Sequence, residues 1–162
     1  MKNHNIEEEN TIDNEEKEIM EFAGGAYNFE LMDVKGDTFK LSKLSGQKVY
    51  IKFWTTWCSM CLSGLSEFIE LDKMYMENDD VVILTVIVPS TSNEMSSEKF
   101  IQWYTSQKLE FNVLLDNGGL AISQFGIRSF PTSVFIDSNG DVYDMKIGHI
   151  YNEDINEILN KM

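Results

Sequence analysis

The sequence predicts an α/β domain: a three-layer sandwich with a mixed central sheet and helices on both faces. Three observations predict it. Strand-length apolar runs alternate with segments of helical spacing through the middle of the chain, the pattern of parallel βαβ units. Hairpin signals stand at both ends of that alternation. Two runs, KVYIKFW at 48–54 and VVILTVIV at 81–88, are rich enough in β-branched and aromatic residues to be buried strands.

The elements follow in order. YNFELMD and TFKLSKL flank the turn signal Lys35-Gly36-Asp37, so 27–44 reads as a β-hairpin. Ser45-Gly46-Gln47 turns the chain into the strand at 48–54. Leu62, Leu65, Phe68, Ile69, Leu71 and Met74 fall at helical spacing, which predicts one helix over 59–76, ended by Asn78-Asp79-Asp80. The strand at 81–88 and a loop at 89–93 come next. Phe100, Ile101, Trp103 and Tyr104 then mark a helix over 96–107. FNVLLD is a short strand, and 119–125 is a short helix closed by Gly126. SVFID and DVYDMKI form a hairpin about Ser138-Asn139-Gly140. Ile155, Ile158 and Leu159 share one face of a last helix over 153–161.

Composition narrows the function. The 162 residues fit one domain plus a tail, and 43% hydrophobic residues suffice for its core. The tail is 1–25, rich in Asn and Glu and too poor in apolar residues to offset its ordering; the domain is 26–162. There are 27 acidic against 13 basic residues, a formal charge of −14. No nucleic-acid partner is expected, since that would call for a basic stripe. Charge-driven binding to an anionic membrane is disfavoured as well. The run at 81–88 is strand-sized and holds Thr85, so no direct membrane insertion is expected. No apolar leader follows Met1.

Both cysteines lie in FWTTWCSMC, at 53–61. Cys58 falls where a strand ends and a helix begins, so unpaired N–H groups and the positive end of the helix dipole point at it. A thiolate is favoured there, and its pKa should fall below the ~8.5 of a free cysteine. Cys61 is one helical turn on, slightly deeper and close enough to bridge. One sulfur can attack a disulfide and the other can resolve the mixed disulfide. Core cysteines would be scattered rather than set at a strand–helix junction beside Trp54 and Trp57. A zinc site needs four ligands, and the chain offers two Cys, His4 in the tail and His149. No metal and no cofactor are expected.

The sequence resembles the thioredoxin fold, and more closely its TlpA/ResA-like extracytoplasmic branch, over 27–158. FELMDVKGDTFKLSKLSGQKVYIKFWTTWCSMC is similar to that branch's opening, which adds an N-terminal β-hairpin. FGIRSFPTSVFIDSNGDV is similar to its second signature. The resemblance implies a protein thiol–disulfide oxidoreductase with Cys58 and Cys61 as the catalytic pair. It makes Pro131 a cis-proline facing them, with Phe130 offering its backbone to a substrate strand. Trp57 should shield one side of the thiol, while Trp54 packs the core. The implied partners are a disulfide-bearing protein and a membrane electron donor of the CcdA/DsbD type, with the protein itself a monomer. The location is extracytoplasmic, with anchoring through a segment absent from this chain.

Three departures from the branch stand out. Lys52 occupies the place of a buried acid six residues before the first Cys, and Gly64 that of a Glu three residues after the second. That leaves Glu67 or water to take the proton of the resolving thiol. Ser59-Met60 lies between the cysteines without the frequent Pro. These stretches are similar to surface-exposed thioredoxins, some of which supply methionine sulfoxide reductases. Rival functions are a disulfide-forming oxidase, a peroxidase suggested by Thr55-x-x-Cys58, and a Sco-type copper module using His149. His149 otherwise reads as a turn or surface residue.

Overall fold

A computed structural model describes residues 28–91 and 93–162 of the chain. The tail at 1–25 and the start of the domain at 26 lie outside the described residues. Seven strands in the described residues form one sheet: β1 (Glu30–Asp33), β2 (Thr38–Lys40), β3 (Lys48–Phe53), β4 (Val81–Ile87), β5 (Val113–Leu115), β6 (Thr132–Ile136) and β7 (Val142–Ile147). Their order is β2-β1-β5-β4-β3-β6-β7. β3, β4 and β5 run parallel, while β1, β6 and β7 join antiparallel, so the sheet is mixed as expected.

The period of two along β3 sorts the core. Val49, Ile51 and Phe53 face one layer with Leu84, Val86, Val134 and Ile136. There they meet Ala121 and Phe125 of α4 (Leu120–Phe125). Tyr50 and Trp54 face the other layer, under α2 (Leu65–Tyr75), α3 (Ser97–Ser106) and α5 (Asn152–Lys161). Phe68, Phe100 and Ile155 fill that side. Lys52 shares the face of Tyr50 and Trp54, which puts a charged side chain in an apolar layer.

Two elements differ from the sequence reading. The second arm of the first hairpin stops at Lys40, and Leu41–Leu44 winds into a 3₁₀ turn that buries Leu41. The helix expected over 59–76 is two pieces, α1 (Ser59–Ser63) and α2, with Gly64 between them. Gly64 takes φ −88° and ψ −2°, off the ideal helix, and apolar periodicity carries no trace of such a break. The other helices start and end within a residue of expectation. Ser96 Oγ caps α3 by accepting the Lys99 N–H at 3.3 Å. Gly126 closes α4 at φ 66°, a conformation that favours glycine.

Candidate active site

The site lies at the C-terminal end of β3, where the chain leaves the sheet for α1. Cys58 is the N-cap of α1, in extended backbone. The Cys61 N–H donates to Cys58 Sγ at 3.3 Å, and the Leu62 N–H to the Cys58 carbonyl at 3.1 Å. A sulfur thus stands where an oxygen cap usually does. Cys58 Sγ donates in turn to the Phe130 carbonyl at 3.7 Å. The peptide joining Phe130 to Pro131 is cis. Both cysteines are free thiols, Cys58 part-buried and Cys61 fully buried.

Burial, followed by the hydrogen bond with Cys58, pushes the Cys61 thiol from an ordinary 9.0 up to about 12. A backbone hydrogen bond at Thr55 and the charge of Lys52 act against that rise. At neutral pH Cys61 is therefore a thiol.

The surface around Cys58 is apolar. Trp57 is 49% exposed and meets the Phe130 ring edge-on at 6.3 Å. Met60 and Leu62 are exposed on α1. Trp54 turns inward and packs against Phe100, Trp103 and Phe111.

Glu94 belongs to the site, and sequence reasoning missed it. It is 8% exposed, beneath the loop that leads to Cys58. Its carboxylate accepts from the Thr56 N–H at 2.8 Å, the Thr56 hydroxyl and the Met95 N–H at 3.0 Å. Glu94 lies 38 residues from Thr56, so no local spacing rule connects them.

Behind Cys61 lies a polar group in the apolar layer. Lys52 is 7% exposed, and its ammonium stands 5.3 Å from the centroid of Phe68. Burial holds Lys52 below the usual lysine range, while Cys61, Glu67 and Cys58 pull it back up. Tyr50 Oη and Ser133 Oγ share a hydrogen bond of 2.7 Å beside it. Glu67 Oε1 accepts the Asn152 N–H at 2.9 Å, and Glu67 Oε2 lies 3.3 Å from His149 Nε2. His149 follows the Gly148 bend in the loop before α5, as a turn residue would, but its side chain is only 25% exposed and is in contact with Glu67. The reason is Gly64: a Cβ there would come within 3.3 Å of His149 Nδ1, so the ring occupies room that a side chain would fill. Among the described residues no three His, Cys, Asp or Glu side chains gather as metal ligands would.

A sulfur capping a helix, a second sulfur one turn below it and a cis-proline opposite define a thioredoxin-like redox protein. Comparison with known proteins agrees. The AhpC/TSA family model matches residues 24–145, and the chain belongs to that family, among its thiol–disulfide oxidoreductases. A ResA thiol–disulfide oxidoreductase of Bacillus anthracis is 30% identical over 147 residues, covering 91% of this chain and 82% of its own. An exposed lipoprotein thioredoxin of Streptococcus pneumoniae superposes with a TM-score of 0.77 at 38% identity, over 84% of this chain and all of its own. StoA of Bacillus subtilis, at 24% identity and TM-score 0.72 over 82% of this chain and 96% of its own, shares the fold.

Proposed function

We propose that this protein reduces disulfides in extracytoplasmic partner proteins, with Cys58 as nucleophile and Cys61 as resolving thiol. The observation that carries the reading is the setting of Cys58: its Sγ caps α1, accepts the Cys61 N–H and lies against the Phe130 carbonyl. The Cys58 thiolate attacks one sulfur of the partner's disulfide, and the other sulfur leaves as a thiolate that takes a proton from water. Cys61 then gives up its proton to water and attacks Cys58 Sγ; the second partner sulfur leaves as a thiolate that takes up a proton, and a Cys58–Cys61 disulfide closes. The partner gains two electrons and the cysteine pair loses them.

Trp57, Phe130 and Pro131 form the docking edge. A substrate strand pairs with the Phe130 backbone while its sulfur meets Cys58. A membrane donor of the CcdA/DsbD type restores the dithiol, and the protein works as a monomer. Its ResA and exposed lipoprotein relatives support a location outside the cytoplasm, with 1–25 as a leash to an anchor and 26–162 as the working domain. Methionine sulfoxide reductases are the substrate class that the sequence resemblance favours.

Trapping tests this. Cys61→Ser should hold the partner on Cys58 as a mixed disulfide that mass spectrometry identifies. Finding the adduct on Cys61 in the Cys58→Ser variant instead would reverse the roles. One rival has an observation in its favour: the AhpC/TSA match leaves a peroxidase open. Consumption of peroxide by the isolated reduced protein, without disulfide reduction, would decide for it.

A further inference from the structure

Glu67, on α2, grips one segment of the chain by three contacts. Its Oε1 accepts the Asn152 N–H at 2.9 Å. Its backbone carbonyl accepts Asn152 Nδ2 at 2.7 Å, and its Oε2 lies 3.3 Å from His149 Nε2. Part of this is capping. Tyr151, the N-cap of α5, makes no side-chain cap bond, so a first-turn N–H falls to a carboxylate from another helix. Capping needs one oxygen only, and the second faces the imidazole. The other end of the segment is tied to the docking edge, where the Gly148 N–H donates to the Pro131 carbonyl at 2.8 Å. Glu67, His149, Gly148 and Pro131 line one cavity of about 10 Å³, the room of one water. The His149–Glu67 pair adds little to stability, since the two side chains are 25% and 30% exposed. Tyr151, itself 65% exposed, stands perpendicular to the His149 ring at 5.2 Å, so the imidazole also braces an aromatic side chain at the surface.

We propose that Glu67 is a positioning residue for partner docking: through His149 it holds the 148–152 segment against Pro131, and the hold tightens when His149 takes up a proton. The inference rests on the reading of Phe130 and Pro131 as the docking edge. Histidine changes charge between about pH 5 and 8. A neutral imidazole has one N–H to give, and with that proton on Nδ1 it meets Glu67 lone pair to lone pair. An imidazolium donates from both nitrogens and adds its charge to the bond. Around the cavity, His149 is faced by Glu67 from α2 and by Tyr50 and Lys52 from β3. Burial raises the Tyr50 hydroxyl, which therefore stays neutral. Ser133 of β6 and Asn152 of α5 add no charge, so Glu67 is the one carboxylate that lines the cavity. With the segment held, a partner meets Pro131 and its neighbours already in place, and binding does not carry the cost of ordering them. As pH rises the hold slackens and docking weakens. The chemistry at Cys58 is set by α1, so affinity rather than the limiting rate carries this dependence.

The test is single-turnover reduction of a short cyclic peptide disulfide, acetylated, amidated and free of His, Asp and Glu so that it does not itself titrate. Rising peptide concentrations give a half-saturating concentration and a limiting rate at each pH. Between about pH 5.5 and 7.5 the half-saturating concentration should rise about threefold, the scale of a part-exposed ion pair. In Glu67→Gln and in His149→Gln it should stay flat, while the limiting rates follow the parent's. Variants that still show the parent's rise would overturn the proposal, and so would a parent without one. A lower limiting rate at unchanged half-saturation would put Glu67 at the resolving thiol and refute docking as its role. Hydrogen exchange of the Gly148 N–H reads the hold without any substrate. Its protection should fall about threefold over the same pH range in the parent and stay constant in both variants. Equal falls in parent and variants would refute the hold. If the peptide is not reduced at all, the reductase reading fails, and Gly148 exchange still decides whether Glu67 and His149 hold the segment.

Discussion

Replacing Glu94 by Gln isolates what holds the cysteine loop in place. The carboxylate accepts three hydrogen bonds, two from Thr56 and one from the Met95 N–H. The amide keeps its oxygen for the Thr56 N–H, so its NH₂ falls at Oε1 and faces the Met95 N–H, donor against donor. A hydrogen bond to a charged group is worth about 1.5–3 kcal/mol and a neutral one about 0.5–1.5, so the two Thr56 bonds lose about 1 kcal/mol each. The stranded Met95 N–H adds at least about 1 kcal/mol, for a total near 3 kcal/mol. In a domain of this size that lowers Tm by about 10 °C. Thermal unfolding by circular dichroism measures the shift. Thr56 lies two residues before Cys58, so reduction of insulin should also fall at temperatures where the variant is fully folded. A Tm within about 2 °C of the parent would show that the carboxylate contributes nothing beyond a neutral acceptor.

Three further outcomes are expected. Cys61 is raised from 9.0 to about 12 in the folded protein, so the folded state holds more protons than the unfolded chain between those values. The reduced protein should therefore lose stability as pH climbs from 9.0 towards 12. The oxidised protein lacks that titration, and urea unfolding of both forms at pH 7 and at about pH 10 compares them. Phe100→Ala removes a fully buried ring packed on Trp54, Trp103 and Tyr104, and should cost about 3–5 kcal/mol in the same assay. Gly64→Ala adds a Cβ 3.3 Å from His149 Nδ1. It should leave stability within about 1 kcal/mol of the parent while moving the His149 ring off Glu67, which NMR titration of the imidazole reads directly.

The fold was legible because each strand and most helices carry their own pattern. KVYIKFW and VVILTVIV are buried on both faces and read as such, and Asn139-Gly140 marks its hairpin. The break at Gly64 was not legible, because Leu62, Leu65 and Phe68 keep helical spacing across it. Cys58 and Cys61 were legible from local position alone: a strand end, a helix start and one turn between them. Lys52, Glu67 and His149 each caught attention singly, as a departure, a substitute acid and a surface imidazole. Their meeting depends on how α5 and the loop before it close over β3, and no local rule contains that. Glu94 was silent for the same reason.

The division at Gly64 leaves Cys61 on a five-residue helix with Cys58 as its cap, a segment set apart from the longer helix that follows. Glu94 clamps the chain upstream of it, and the eleven-residue rod of α2 lies bolted to the sheet downstream through Phe68 and Leu71. Drawing the sulfurs together on oxidation then needs a small pivot of that segment alone, between two fixed mounts.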